Sequence, residues 1–181
     1  LWLDTLALFY NRDILNSANI PNPPTSWDEF SNIAPRLTQI STTRSVIRGG
    51  AAFGGSLNIE RATDILSALI LQSGAKIIDA KTLAVDLGED IDFAGVRTNP
   101  SEQALTYYTS FAIPAKRTYS WAQTMPNAFD AFSSSRSAMV FGYSRDIARI
   151  RAKNPNINMS VAPLPQTSNE VLQRRKQSLS K

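Results

Sequence analysis

The residue types that are missing say most about the chemistry open to this chain. Its 181 residues include neither cysteine nor histidine. That removes thiolate nucleophiles, disulfides, imidazole proton shuttles and the common zinc ligand sets. Ser-His-Asp and Cys-His arrangements are excluded, while chemistry on carboxylates or lysine stays open. No pair among the 15 carboxylates is set apart in the way that a glycoside hydrolase would need. Asp86, Asp90 and Asp92 could approach a calcium ion, but their spacing departs from the EF-hand loop and reads as an exposed acidic turn. Gly49 to Gly55 (GGAAFGG) lacks the Gly-Lys-Ser/Thr ending of a phosphate loop and does not fit the dinucleotide fingerprint. No catalytic residue, metal or cofactor is expected.

Two segments instead combine rings with hydrogen-bonding groups. In Thr118-Tyr119-Ser120-Trp121-Ala122-Gln123, hydroxyls and an amide alternate with aromatic rings. Such a mixture can hold a sugar by stacking on its apolar face and bonding to its rim. The competing reading makes Trp121 a plug at the edge of the core. The second segment, Phe141-Gly142-Tyr143-Ser144-Arg145-Asp146, reads as a strand-to-helix turn at the carboxyl end of a strand, where open α/β sheets place their ligands. There Tyr143 or Arg145 could face a cleft. In the plainer alternative, Ser144 caps a helix whose first turn, with Arg145 and Asp146, is solvated.

The elements that must position these segments follow from periodicity. Thr5 to Tyr10 is apolar almost throughout and predicts a strand buried on both faces. Asn11 to Ala18 reads as a short helix, and the prolines at 21, 23 and 24 hold an extended loop. Ser26 and Glu29 form a capping box, followed by Trp27, Phe30, Ile33, Ala34 and Leu37 at helical spacing, with Pro35 set to kink or shorten the helix. Ser45 to Phe53 predicts a second strand. Asn58 caps a long helix with Ile59, Ala62, Ile65, Leu66, Leu69 and Ile70 on its buried stripe, and Gly74 stops it. A hairpin is expected over Lys76 to Val85. Asn99 and Pro100 open a helix with Ala104, Leu105, Tyr108, Phe111 and Ala112 on its face. A short helix from Pro126 to Phe132, a strand over Ser137 to Phe141, a helix with Ile147 and Ile150, and a strand over Asn158 to Leu164 complete the pattern. Strands separated by helices indicate an α/β layer architecture.

Length predicts one domain, and 43% apolar with 19% charged residues is the balance of a chain that folds. The net charge of +4 is spread among carboxylates, and the one dense run, Arg174-Arg175-Lys176, is too short for a nucleic-acid patch. No segment reaches the ~18 consecutive apolar residues of a membrane span. The opening Leu1-Trp2-Leu3 has no initiator Met and runs straight into a strand pattern, so the chain reads as a piece of a longer one.

Three stretches together resemble extracellular solute-binding proteins, the sugar-binding subunits of ABC importers related to the maltose-binding protein. The first runs from Leu6 to Leu15 (LALFYNRDIL) and on to Pro23 to Phe30 (PPTSWDEF). The second is the helix from Asn58 to Gln72-Ser73-Gly74. The third joins Ala128 to Phe132, Ala138-Met139-Val140-Phe141-Gly142 and Val161-Ala162-Pro163-Leu164-Pro165. This resemblance implies a periplasmic-binding-protein-like fold, of which residues 1–166 are the second lobe with two hinge-crossing strands, its helices layered on a mixed sheet. It leaves residues 167–181 as an unassigned polar and basic tail.

It further implies a receptor that binds a sugar or oligosaccharide between two lobes and closes by hinge motion. Its partners would be ABC permease subunits, its location extracytoplasmic, and its contact with the membrane only through the permease or an anchor. Family members commonly carry a sugar-stacking aromatic near the position that Arg145 occupies here. Trp121 and Tyr119 are expected as stacking or edge contacts, Tyr143 and Arg145 as groups on the strand-end turn, and Asn58 and Asp4 as hydrogen-bonding groups. The rival expectations are a carboxylate-based glycoside hydrolase module and an interaction domain without a small-molecule site.

Overall fold

In the computed structural model, residues 4–75, 77–79, 82–85, 87, 90–93 and 96–167 are described. The apolar run at the start forms β1 (Ala7–Asn11), with Leu8 and Phe9 fully buried. It is the central strand of a sheet, antiparallel to β6 (Met139–Gly142) on one side and β7 (Met159–Ala162) on the other. All four residues of β6 are buried, as expected of an interior strand whose side chains all read apolar. A parallel bridge from Gly49 to Ser137, followed by Ala52 N–H to the Met139 carbonyl at 2.9 Å, adds a parallel segment beside β6 and makes the sheet mixed.

The register decides where function can sit. Ala7 pairs with Gly142 and Leu8 with Ala162. The entry to β1 therefore lies beside the exits of both β6 and β7, which brings Asp4, the turn after Gly142 and the Pro163–Pro165 segment to one end of the sheet. Among the described residues, two small antiparallel pairs complete the strands: β2 (Gln39–Ile40) with β3 (Val46–Arg48), and β4 (Ile91–Phe93) with β5 (Val96–Thr98). The strand expected over Ser45 to Phe53 is thus shorter, because past Arg48 the chain leaves β2 to run beside β6.

Among the described residues, six helices accompany the strands. Asn11 ends β1 and caps α1 (Arg12–Ser17), its Oδ1 accepting from Asp13 N at 3.0 Å and Ile14 N at 3.3 Å. Ser26 caps α2 (Trp27–Leu37) by accepting from Glu29 N at 3.2 Å. The reciprocal half of the capping box is displaced by one residue. The Glu29 carboxylate takes the amide (2.7 Å) and hydroxyl (2.8 Å) of Thr25, and these bonds hold its pKa below the usual glutamate value. Pro35 does not end α2 early, since the helix continues two residues to Leu37. Where α2 meets the 49–52 segment, a Cβ on Gly50 would lie 1.7 Å from the Ala34 carbonyl oxygen. Only a glycine fits there. The Thr38 hydroxyl stitches the contact, donating to Ala34 O at 2.8 Å and accepting from Gly50 N at 3.0 Å.

The remaining helices are α3 (Ala62–Gln72), α4 (Pro100–Ser110), α5 (Ala128–Ser133) and α6 (Asp146–Lys153). Gly74 follows α3 at φ 82°, the left-handed conformation that glycine adopts without strain. Asn99 caps α4 through Ser101 N and Glu102 N, with Pro100 in the first turn. Leu105, expected on the buried face of α4, is 46% exposed because Ala104, Tyr108 and Phe111 turn inward instead. Phe53 is the hub of the aromatic core, with ring centroids 5.0 Å from Phe30, 4.8 Å from Phe111, 4.6 Å from Tyr108 and 5.7 Å from Phe141. Each such ring contributes about 1.5–3 kcal/mol by leaving water.

Ile78 and Val85 form the antiparallel bridge of the expected hairpin. Its residues Lys76, Ala80 and Lys81 lie outside the described residues, as do Asp86 of the acidic turn and the basic run Arg174-Arg175-Lys176.

Candidate ligand-binding face

Of the two ring-bearing segments, the one around Trp121 turns inward. Trp121 is 0% exposed, so its ring has no free face, and the stacking role expected of it gives way to the alternative of a core plug. The cause is a hydrogen bond across the fold. The indole N–H donates to Asn58 Oδ1 at 2.9 Å, satisfying the one polar atom that would otherwise oppose burial. Asn58 Nδ2 donates in turn to the carbonyls of Ala122 at 3.1 Å and Met125 at 2.9 Å.

Asn58 is therefore neither the cap of α3 nor a free ligand contact, because its amide is spent tying the 121–125 loop to the α3 approach. The residue before α3 is Arg61, and its side chain makes no capping bond. Tyr119 packs half-buried against the core, and burial pushes its phenol pKa up. The loop at Gly54 and Gly55 is held by Tyr108, whose hydroxyl donates to the Gly55 carbonyl at 2.6 Å. Burial raises the Tyr108 pKa so far that this donor stays protonated. Just beyond, Leu57 stands 81% exposed.

The second segment turns outward. Tyr143 is half-buried and both Ser144 and Arg145 are exposed. The plainer alternative puts Asp146 in a solvated first turn, but it is 4% exposed and organises the whole turn. Its Oδ2 accepts from Tyr143 N at 2.9 Å, and Arg61 clasps it with Nη2 to Oδ1 at 2.9 Å and Nε to Oδ2 at 3.3 Å. The hydrogen bonds to Asp146 raise the Arg61 pKa above its already high value. A fork of this kind fixes direction as well as distance.

Ser144 does not cap α6. Its amide and hydroxyl both donate to Asp4 Oδ1, at 3.1 and 3.0 Å, which joins the β1 entry to the β6 exit. The Tyr143 ring carries two guanidinium groups, with the carbons of Arg61 and Arg145 each 5.1 Å from its centroid. Burial raises the Tyr143 phenol pKa, and the neighbouring Asp64, by charge and hydrogen bond, raises it further.

The structure thus brings together Asp4, Tyr143 and Arg145, leaves Tyr119 on a separate loop, and takes Trp121 into the interior with Asn58 half-buried beside it. Sequence reasoning missed Arg61 and Asp64, and underrated Asp146. The one local signal was a carboxylate three residues after Tyr143, the reach-back half of a capping box without its Ser or Thr. Recesses of about 580 Å³ and 330 Å³ lie along α4, and none of the six expected contacts lines them.

The family model for bacterial extracellular solute-binding proteins matches residues 2–177. The chain belongs to that family. Three solved structures with the same fold illustrate the relation. One is an ABC transporter solute-binding protein from Thermotoga lettingae bound with α-D-tagatose, 21% identical, covering 97% of this chain and 47% of its own, with a TM-score of 0.71. Another is the maltose/maltodextrin-binding domain of Bdellovibrio bacteriovorus bound to maltotriose, at 14% identity, 90% and 37% coverage and a TM-score of 0.67. The third is UgpB of Mycobacterium tuberculosis in complex with glycerophosphocholine, at 19% identity, 92% and 37% coverage and a TM-score of 0.66. No curated protein sequence gives a significant match.

The chain spans less than half the length of these solute-binding proteins. Among the described residues, no helix is long and apolar enough to cross a membrane. The extracellular family matches the extracytoplasmic location expected from the sequence.

Proposed function

We propose that this chain forms one lobe of the receptor component of an ABC importer, and that a sugar or oligosaccharide is held between this lobe and a second one. The observation that carries the reading is the register of the sheet. It gathers the β1 entry, the β6 exit turn and the β7 exit at one end, so polar side chains collect where the chain would cross to a partner lobe. The resemblance to sugar-bound solute-binding proteins supports the choice of ligand.

Asp4, Tyr143 and Arg145 are the contacts assigned to this lobe, with Tyr119 at its edge. None acts as a catalyst in this reading. Closure is a hinge motion about the segments flanking β1 and β7, driven by ligand contacts made only in the closed state. The closed form is what permease subunits would recognise. Calorimetric titration of a chain carrying both lobes with tagatose, glucose, mannobiose and maltotriose tests the proposal. Saturable heat with at least one is expected, whereas a folded protein that binds none, or one that turns over chromogenic glycosides, would overturn it.

A further inference from the structure

The Tyr143 turn also tells how a ligand is recognised, given the receptor reading above. Stacking needs an open aromatic face. On this lobe Trp121 offers none, being fully buried. The Tyr143 ring is already covered by the guanidinium groups of Arg61 and Arg145, both 5.1 Å from its centroid. The two arginines differ in what else they do. Arg61 is committed to the buried Asp146 through the bidentate pair. Arg145 is exposed and makes no ion pair among the described residues, so its planar donor edge is free while its face rests on Tyr143.

Two carboxylates flank the same turn. Asp4 accepts from Ser144 with one oxygen only, and Asp64 interacts with Tyr143. Neither is within ion-pair distance of a cation among the described residues. Asp4 is bonded to Ser144 and Asp64 to Tyr143, the two residues before Arg145, so the turn is a poor site for an anion, since a negative group drawn to Arg145 would approach carboxylates as well. The same three groups suit neighbouring hydroxyls well: the guanidinium donates two parallel hydrogen bonds to adjacent oxygens, and the carboxylates accept from the hydroxyl protons.

We infer that Arg145, screening Tyr143 from stacking, is the specificity-determining residue of this lobe, and that it selects an uncharged polyhydroxylated ligand bound edge-on through adjacent hydroxyls.

The test uses a chain carrying both lobes and the neutral sugar that it binds best from the panel of tagatose, glucose, mannobiose and maltotriose, with glucuronate as the charged counterpart of glucose. Arg145→Ala is expected to weaken binding of the neutral sugar by about tenfold or more, the loss typical of a charge-assisted contact. Arg145→Lys keeps the charge without the planar fork and is expected to recover less than half of that loss on a logarithmic scale. Glucuronate is expected to bind more weakly than glucose. Unchanged or tighter binding by Arg145→Ala would make Arg145 only a cover over Tyr143 and overturn the inference. Full rescue by lysine, or preference for glucuronate, would overturn it equally. If the unaltered protein binds no sugar at all, the receptor reading fails first and takes this inference with it. That outcome is distinct from a sugar-binding protein indifferent to Arg145.

Discussion

The loop around Trp121 and the turn after β6 look alike in sequence, each a short run of rings and hydrogen-bonding groups, yet they face opposite ways. Trp121 has a distant acceptor, Asn58, and goes fully inside. Tyr143 has its ring against two arginines and its amide on Asp146, and stays at the surface. The difference teaches that alternation of rings and hydroxyls marks a candidate contact but does not set its exposure. A partner for the polar edge does not set it either, since Asn58 accepts from Trp121 and Asp64 bonds Tyr143; what differs is what lies over the ring, closed core for Trp121 and two guanidinium groups, one of them exposed, for Tyr143.

Three substitutions would break or sharpen this contrast. Trp121→Ala has the largest expected effect, a loss of about 3–5 kcal/mol of stability from the cavity and the orphaned Asn58 acceptor, read by urea unfolding. A loss below about 1 kcal/mol, together with weaker sugar binding, would mean that the ring faces ligand after all. Asp146→Ala comes next. It strips Arg61 of its counter-charge and Tyr143 N of its acceptor, and about 3 kcal/mol of destabilisation is expected. If the melt is unmoved, the turn is held by something other than this fork. Arg145→Ala has the smallest effect on folding, within about 0.5 kcal/mol, because the side chain is exposed and makes no ion pair. A larger loss would place it with Trp121 among the groups that the fold depends on.

The contrast also explains what could be read from the sequence. The six expected helices, the strands β1, β6 and β7, Ser26 and Asn99 as caps and Gly74 as a stop were legible, because each shows in a pattern of nearby residues, whereas β2, β4 and β5, two or three residues each, are too short to leave one. Asn58 misled as a cap because its partners lie 63 to 67 residues away, and Ser144 misled for the same reason, reaching 140 residues back to Asp4. Arg61 and Asp146, 85 positions apart, leave no local trace of their pairing. Of the candidate site, the turn itself was legible and its surroundings were not. Strand-end logic points to Tyr143 and Arg145, but their relation to Arg61, Asp64 and Asp4 exists only in three dimensions.

The seat of Gly50 against Ala34 has a consequence for how this core can drift. Main-chain atoms of α2 and of the 49–52 segment already lie so close there that a Cβ would not fit, so α2 cannot settle inward around a void. A smaller side chain at Phe30 or Phe53 therefore leaves its volume empty unless a neighbouring ring grows to match it.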